Sequence, residues 1–239
     1  MGLFDTLPFS EQADPNRPLA ERLRPETLDG FIGQEHILGA GKPLRAQIET
    51  DTLRSIILWG PPGVGKTTLA RILAKALNCE IGVTATPCGR CNACLDIDAG
   101  RFVDLMEVDA ATNTKVEEMR DLLDSAQYMP TLGRFKVYII DEVHMLSRSA
   151  FNSMLKTLEE PPAHVKFVLA TTDPQKVPIT VLSRCLQFNL KQLPATLIAE
   201  HLANVLQQEQ IASEAAALQL IGAAARGSAK PTSPVPMRA

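Results

Sequence analysis

Residues 55–67 constrain this chain more than any other segment. Ser55-Ile56-Ile57-Leu58-Trp59 is an apolar run too short for a helix, and it breaks into Gly60-Pro61-Pro62-Gly63-Val64-Gly65-Lys66-Thr67. From Thr67 to Leu77 apolar residues return at helical spacing, at Leu69, Ile72, Leu73, Ala76 and Leu77. A buried strand, a glycine-rich loop and a helix in that order predict one unit of a parallel sheet, with the loop at the strand's carboxyl end. Glycines let backbone N–H groups converge on an anion without side chains in the way. The following helix points its positive N-terminus at the same spot.

The loop fits G-x-x-x-x-G-K-[ST], so the expected anion is a nucleotide phosphate. Gly60, Pro61, Pro62, Gly63, Val64, Gly65, Lys66, Thr67 and Thr68 are the expected cradle. Lys66 is placed to reach the β- and γ-phosphates, and the Thr67 hydroxyl to join a Mg²⁺ shell. Further buried strands are expected at Val103–Val108, Lys136–Ile140, Val165–Ala170 and Cys185–Leu190, with helices at Val116–Ala126 and Ser147–Leu158 between them. Ser147 is the expected N-cap of the latter. Strands alternating with helices predict an α/β fold whose parallel sheet is covered on both faces.

The strand at Lys136 ends in Asp141-Glu142, which puts two carboxylates at the crevice where the nucleotide would sit. Asp141 is expected to bind Mg²⁺, and Glu142 to orient or deprotonate an attacking water. The strand at Val165 ends in Thr171-Thr172-Asp173, whose hydroxyls stand at a matching position. Ser183-Arg184-Cys185 places an arginine at a junction between a helical stretch and a strand, a position suited to stabilising phosphoryl-transfer charge. His144 gets no role from its sequence position.

Four of the five cysteines cluster as Cys79-x₈-Cys88-x₂-Cys91-x₂-Cys94. Four thiolates at this density suit a closed tetrahedral Zn²⁺ site, which is structural because no coordination position stays open. An iron–sulfur cluster is the alternative, although the x₃-C-P continuation of a ferredoxin run is absent. Cys185 lies outside the cluster and is expected to be a small buried residue.

Composition narrows the partners. The formal net charge is −3, and the first 30 residues carry that whole imbalance, with six acidic side chains against three arginines. A chain that coats nucleic acid by bulk charge is excluded. Aromatic residues at 5% argue against base-stacking platforms. Lys115, Arg120, Arg134 and Lys136 are the candidates for a local basic surface. No run is long enough to span a membrane and no secretory signal opens the chain, so the expected compartment is the cytoplasm, where thiols stay reduced. Residues 1–18 are expected to form a loose arm, 19–192 the core with its cysteine insertion at 79–94, 193–226 a small helical unit (Leu197–Leu206 and Ala215–Ala225), and 227–239 a disordered tail.

Together these motifs resemble an AAA+ ATPase of the clamp-loader group. The cysteine insertion directly after the phosphate-loop helix is similar to that of the tau/gamma subunits of bacterial DNA polymerase III. Gly100–Leu105, Asp109-Ala110-Ala111, Phe135–Phe151 and Leu155–Cys185 carry the likeness, which runs from about Arg71 to Ile211. The resemblance implies an ATPase that uses ATP to load a sliding clamp on primer–template DNA within a hetero-oligomer of loader subunits. It implies that Thr172, or Thr171, senses the γ-phosphate. It also makes Arg184 an arginine finger for ATP in a neighbouring subunit. Arg22–Pro25 and Phe31–Gln34 resemble the segment that packs on adenine.

Residues 1 to about 68, including Leu19–Arg24 and Ile57–Gly63, are more similar to the replication-associated recombination ATPase RarA, which lacks the four cysteines. That likeness implies an alternative role at stalled replication forks. The helical lid is expected to be truncated, with Gly227-Ser228-Ala229-Lys230 standing where the family has Gly-Ser-x-Arg, and with no oligomerising collar after it. Lysine lacks arginine's rigid fork and Pro231 opposes the helix, so a nucleotide- and zinc-binding module without turnover is a further alternative.

Overall fold

The computed structural model describes residues 24–112, 116–225 and 227–228. The expected arm, Arg22, Leu23, Lys115 and the expected tail from Ala229 onward, Lys230 included, lie outside the described residues.

Two short helices, α1 (Glu35–Leu38) and α2 (Pro43–Glu49), precede β1 (Ile56–Trp59) and α3 (Lys66–Asn78). Then come α4 (Asn92–Asp98), β2 (Leu105–Asp109), α5 (Val116–Ser125), β3 (Lys136–Asp141), α6 (Arg148–Glu159), β4 (Val165–Thr171), α7 (Ile179–Leu182) and β5 (Leu186–Asn189). Helices α8 (Ala195–Gln208) and α9 (Ala215–Ala224) follow. The five strands are all parallel, in the order β2-β3-β4-β1-β5. Every expected strand and long helix is present within two residues at each end.

Strand periodicity divides the core between the two faces of the sheet. Ile56, Leu58, Val137, Ile139 and Val168 pack with Leu69, Ile72 and Leu73 of α3 and with Ile97 of α4. The alternate residues Ile57, Tyr138, Ile140, Phe167 and Leu169 pack with Met119 of α5, Phe151 and Met154 of α6, and Val181 of α7. Covering both faces is what makes the central strands read as unbroken apolar runs. Tyr138 and Phe167 stack at 5.2 Å on adjacent strands. Ser147 caps α6, its side chain accepting from the Ala150 N–H.

Two expectations need correction. Val103 is exposed and precedes the strand, which starts at Leu105. That strand has no fully buried residue, and Glu107 and Asp109 are exposed, because it is the sheet's edge, covered by a neighbour on one side only. The cysteine segment is also more than a set of turns, since Asn92–Asp98 closes it as helix α4, with Cys91 as its N-cap residue.

Candidate functional site

The carboxyl ends of β1, β3 and β4 meet at one spot. Leaving β1, the chain passes through Gly60 (φ 154°), where a Cβ would lie 2.2 Å from the carbonyl oxygen of Leu190. Only glycine fits there. Lys66 opens α3 and is buried, with Nζ donating to the carbonyls of Gly60 (2.8 Å) and Pro61 (3.0 Å). The ammonium therefore sits inside the loop's curve. The Thr67 hydroxyl donates to Oδ2 of Asp141 at 2.6 Å, tying the loop to the end of β3. Oδ1 of Asp141 accepts the Glu142 N–H at 2.9 Å.

Glu142 leaves β3 in a left-handed conformation (φ 45°), uncommon for a residue with a side chain. Its Oε2 accepts from both the N–H (3.2 Å) and the hydroxyl (3.0 Å) of Thr172 at the end of β4. The two threonines are thereby separated in role. Thr172 reaches the carboxylate, whereas Thr171 is fully buried and its hydroxyl faces His144 Nδ1 at 3.0 Å and accepts the Asp173 N–H at 3.0 Å. Lys66, Thr67, Asp141, Glu142 and Thr172 thus converge, combining a cation, a donor-rich loop and two carboxylates. This is chemistry suited to a polyphosphate and a hard divalent cation.

The helical unit closes onto the loop. A Cβ on Gly63 would meet the Ser228 side chain at 2.2 Å, and the Leu193 N–H donates to the Gly227 carbonyl at 3.2 Å. Phe31 packs against Gly65, where a Cβ would lie 2.7 Å from its ring. Ile32 joins the cluster of Leu193, Ile198 and Ala225. Gln34 pairs its amide with both backbone groups of Lys191, at 2.7 Å and 2.9 Å. The Phe31–Gln34 segment thus bridges the phosphate loop and the lid.

Arg184 stands apart from this group. The register that pairs Leu186 with Ile56 and Asn189 with Trp59 sets it at the amino end of the sheet, opposite the loop. At about 3.3 Å per residue, the strand alone separates them by roughly 13 Å. Its guanidinium binds Glu159 Oε1 at 2.6 Å and the Thr180 carbonyl at 2.6 Å.

The four sulfurs of Cys79, Cys88, Cys91 and Cys94 all lie within 4.8 Å of one another. Tetrahedral Zn–S bonds of about 2.3 Å need sulfurs about 3.8 Å apart, so the set fits zinc with little adjustment. N–H groups of Cys88 and Cys91 point at the sulfurs of Cys79 and Cys88, both at 3.4 Å. The N–H of Arg90 leads in lowering the Cys88 thiol to about 6, while burial pushes the Cys94 thiol up. Arg134 clamps the carbonyl of Cys79 through both terminal nitrogens at 2.6 Å.

That clamp corrects the basic-surface expectation. Arg134 is occupied with the cysteine segment, and Lys136 is buried, donating to the Ser125 carbonyl at 2.8 Å. Arg120 is exposed. Cys185 is buried as expected, and burial pushes its thiol up to about 12. The residue that sequence reading missed is His144. Its only signal was its position two residues after Glu142.

A family model described as "DNA polymerase III, delta subunit" matches residues 39–194, and one described as "DNA polymerase III clamp loader subunit, ATPase lid domain" matches residues 197–230. The chain belongs to the DNA polymerase III clamp-loader family. DNA polymerase III subunit tau of Escherichia coli is 59% identical over 211 residues, covering 88% of this chain and 32% of the relative. The gamma subunit of Buchnera aphidicola subsp. Baizongia pistaciae is 49% identical over 212 residues, 88% of this chain and 56% of its own. The chain therefore spans about a third of the length of the tau relatives. A match of 211 residues necessarily extends into the first 68, so the tau likeness reaches the part for which a RarA likeness is expected from sequence. Among solved structures, the Thermotoga maritima RuvB Holliday junction branch migration motor aligns with a TM-score of 0.63 at 24% identity, over 87% of this chain and 61% of that one. The clamp-loader chain thus has the AAA+ fold: a parallel five-stranded core with a helical lid.

Proposed function

We propose that this clamp-loader chain binds and hydrolyses Mg²⁺-ATP and, assembled with other loader subunits, uses the cycle to place a sliding clamp on primer–template DNA in the bacterial cytoplasm. The observation that carries this reading is the Thr67–Asp141 hydrogen bond at 2.6 Å, which fixes the phosphate loop and the acidic strand end as one unit. In the proposed site Gly60–Thr68 cradles the phosphates and Lys66 turns its ammonium to the β- and γ-oxygens. Thr67 and Asp141 hold Mg²⁺, and Glu142 orients the attacking water. Mg²⁺ would neutralise developing phosphate charge. Thr172 reads the γ-phosphate. Phe31–Gln34 covers the adenine. Arg184, at the far end of the sheet, serves the nucleotide of an adjacent subunit. Residues 19–192 act as core and 193–226 as lid.

Zinc bound by Cys79, Cys88, Cys91 and Cys94 would have a structural task, pinning the end of α3 to α4. Among the described residues no helix is long and apolar enough to cross a membrane.

The test is ATP turnover by the parent chain and by Lys66→Ala, each alone and with clamp, primed DNA and loader subunits. Turnover that rises with clamp and primed DNA and is lost in Lys66→Ala is expected. Equal rates in the two chains would refute ATP hydrolysis at this site. Stimulation by gapped DNA without a clamp would favour the stalled-fork role.

A further inference from the structure

His144 lies on the 3₁₀ turn Val143–Met145 that follows Glu142 and is nearly buried, its side chain 10% exposed. Its Nδ1 stands 3.3 Å from Oε2 of Glu142 and 3.0 Å from Oγ1 of Thr171. Three groups therefore surround one carboxylate oxygen: the N–H and hydroxyl of Thr172, which donate to it, and the imidazole of His144, which stands beside it.

Two points of donor chemistry give this arrangement its meaning. A threonine hydroxyl has one proton to donate. If Thr172 turns that proton to a γ-phosphate, Glu142 loses one of its three restraints at the moment its direction matters. The tautomer of His144 follows from its surroundings. A lone pair on Nδ1 would face the carboxylate oxygen at 3.3 Å, acceptor against acceptor. A proton on Nδ1 faces two acceptors instead, since Thr171 Oγ1, already accepting from Asp173, has a second lone pair to offer.

We infer that His144 is a positioning residue, whose Nδ1–H holds the Glu142 carboxylate in its working direction when the Thr172 hydroxyl engages the γ-phosphate. This rests on the proposed role of Glu142 and deepens it. The left-handed backbone of Glu142 makes such a hold necessary, because it turns the side chain out of the strand's regular alternation. Thr171, fully buried, fixes the height of the imidazole from below.

The substitutions separate a donor at Nδ1 from mere filling of space. In His144→Asn the amide nitrogen can occupy the place of Nδ1, whereas His144→Gln sets its amide near the Nε2 position. Single-turnover hydrolysis by the chain with its loader subunits should fall about 10- to 100-fold in His144→Ala and His144→Gln, as expected for a misplaced catalytic group. The KM for ATP should stay unchanged, and His144→Asn should recover to within a few-fold of the parent. A kcat within two-fold of the parent in His144→Ala, or a loss in His144→Asn as deep as in His144→Ala, overturns the inference. Imidazole ¹⁵N shifts of the unmodified chain give a second readout that needs no turnover. Protonation at Nδ1 is expected, and a neutral ring protonated at Nε2 overturns the proposal. Glu142→Gln distinguishes the two levels. Full activity there refutes the role of Glu142 itself, while an inactive Glu142→Gln beside an active His144→Ala refutes only the role of His144.

Discussion

Replacing Asp104 by asparagine should destabilise the whole chain, although Asp104 touches no part of the proposed nucleotide site. Its side chain is fully buried just before β2. Oδ1 accepts the N–H of Thr131 at 2.8 Å, and Oδ2 accepts the N–H groups of Leu132 and Gly133, each at 2.7 Å. One carboxylate thus organises the turn that leads into β3. The turn in turn holds Arg134 against Cys79 and packs Gly133 against Asn78. In Asp104→Asn the best rotamer keeps the oxygen on Leu132 and Gly133 and sets an NH₂ group against the N–H of Thr131. The lost charge-assisted bond and the two donors left facing each other together cost about 3–5 kcal/mol. For a chain of this size that is a fall in Tm of roughly 6–20 °C. Urea unfolding followed by far-UV circular dichroism and by fluorescence of Trp59, the single tryptophan, measures it.

The pH dependence supplies an independent check. Burial raises the pKa of Asp104, but the three N–H bonds, assisted by Lys136, outweigh it and hold the carboxyl below its ordinary value. A depressed folded pKa contributes stability that is fully present above the unfolded value of about 3.9 and is lost as pH falls through the folded value. The difference between parent and Asp104→Asn should therefore be flat from pH 7 to about 5 and shrink below about pH 4. A difference under 1 kcal/mol at pH 7, or one independent of pH, would refute this account of the turn.

Other perturbations test separate parts of the molecule. Gly60→Ala drives a Cβ to 2.2 Å from a backbone oxygen at a positive φ, and should cost about 2–5 kcal/mol in urea unfolding; a cost below 1 kcal/mol would mean that the loop is not held as described. Ser147→Ala removes the cap of α6 and should cost about 1 kcal/mol, with Ser147→Asp close to the parent; equal stability of all three chains would show the cap to be idle. Metal analysis of the purified chain should find about one zinc, absent from Cys94→Ser, whose Tm should fall. Iron in place of zinc would favour the cluster alternative, and no metal in the parent would refute the site.

The legible part of the fold is the part governed by local rules. Ile56–Trp59, Lys136–Asp141 and Val165–Thr171 were readable because strands buried on both faces must be apolar throughout. The loop Gly60–Thr67 and the spacing of the four cysteines were readable because phosphate and metal chemistry demand particular residues at particular intervals. Val103 was misplaced because an apolar residue beside a strand has the same signature as one inside it. The places of Arg134 and Lys136 are not written in local sequence, because a cation's surroundings depend on which distant carbonyls come within reach. Helix α4 was missed because glycine and asparagine near the cysteines read as turns.

By itself, then, the amino-acid sequence determined the alternation of elements, the composition of the phosphate loop and the donor set for a metal. Each of these is written in residues close together along the chain. Tertiary structure alone decided which groups meet. Strand order and register brought the ends of β1, β3 and β4 side by side, so that Thr67 reaches Asp141 across 74 residues of chain and Glu142 is held by Thr172 across 30. The same register carried Arg184 to the opposite end of the sheet and set the Thr171 hydroxyl beside His144 across 27 residues. Such contacts depend on how strands stack in space, which periodicity along one strand does not encode.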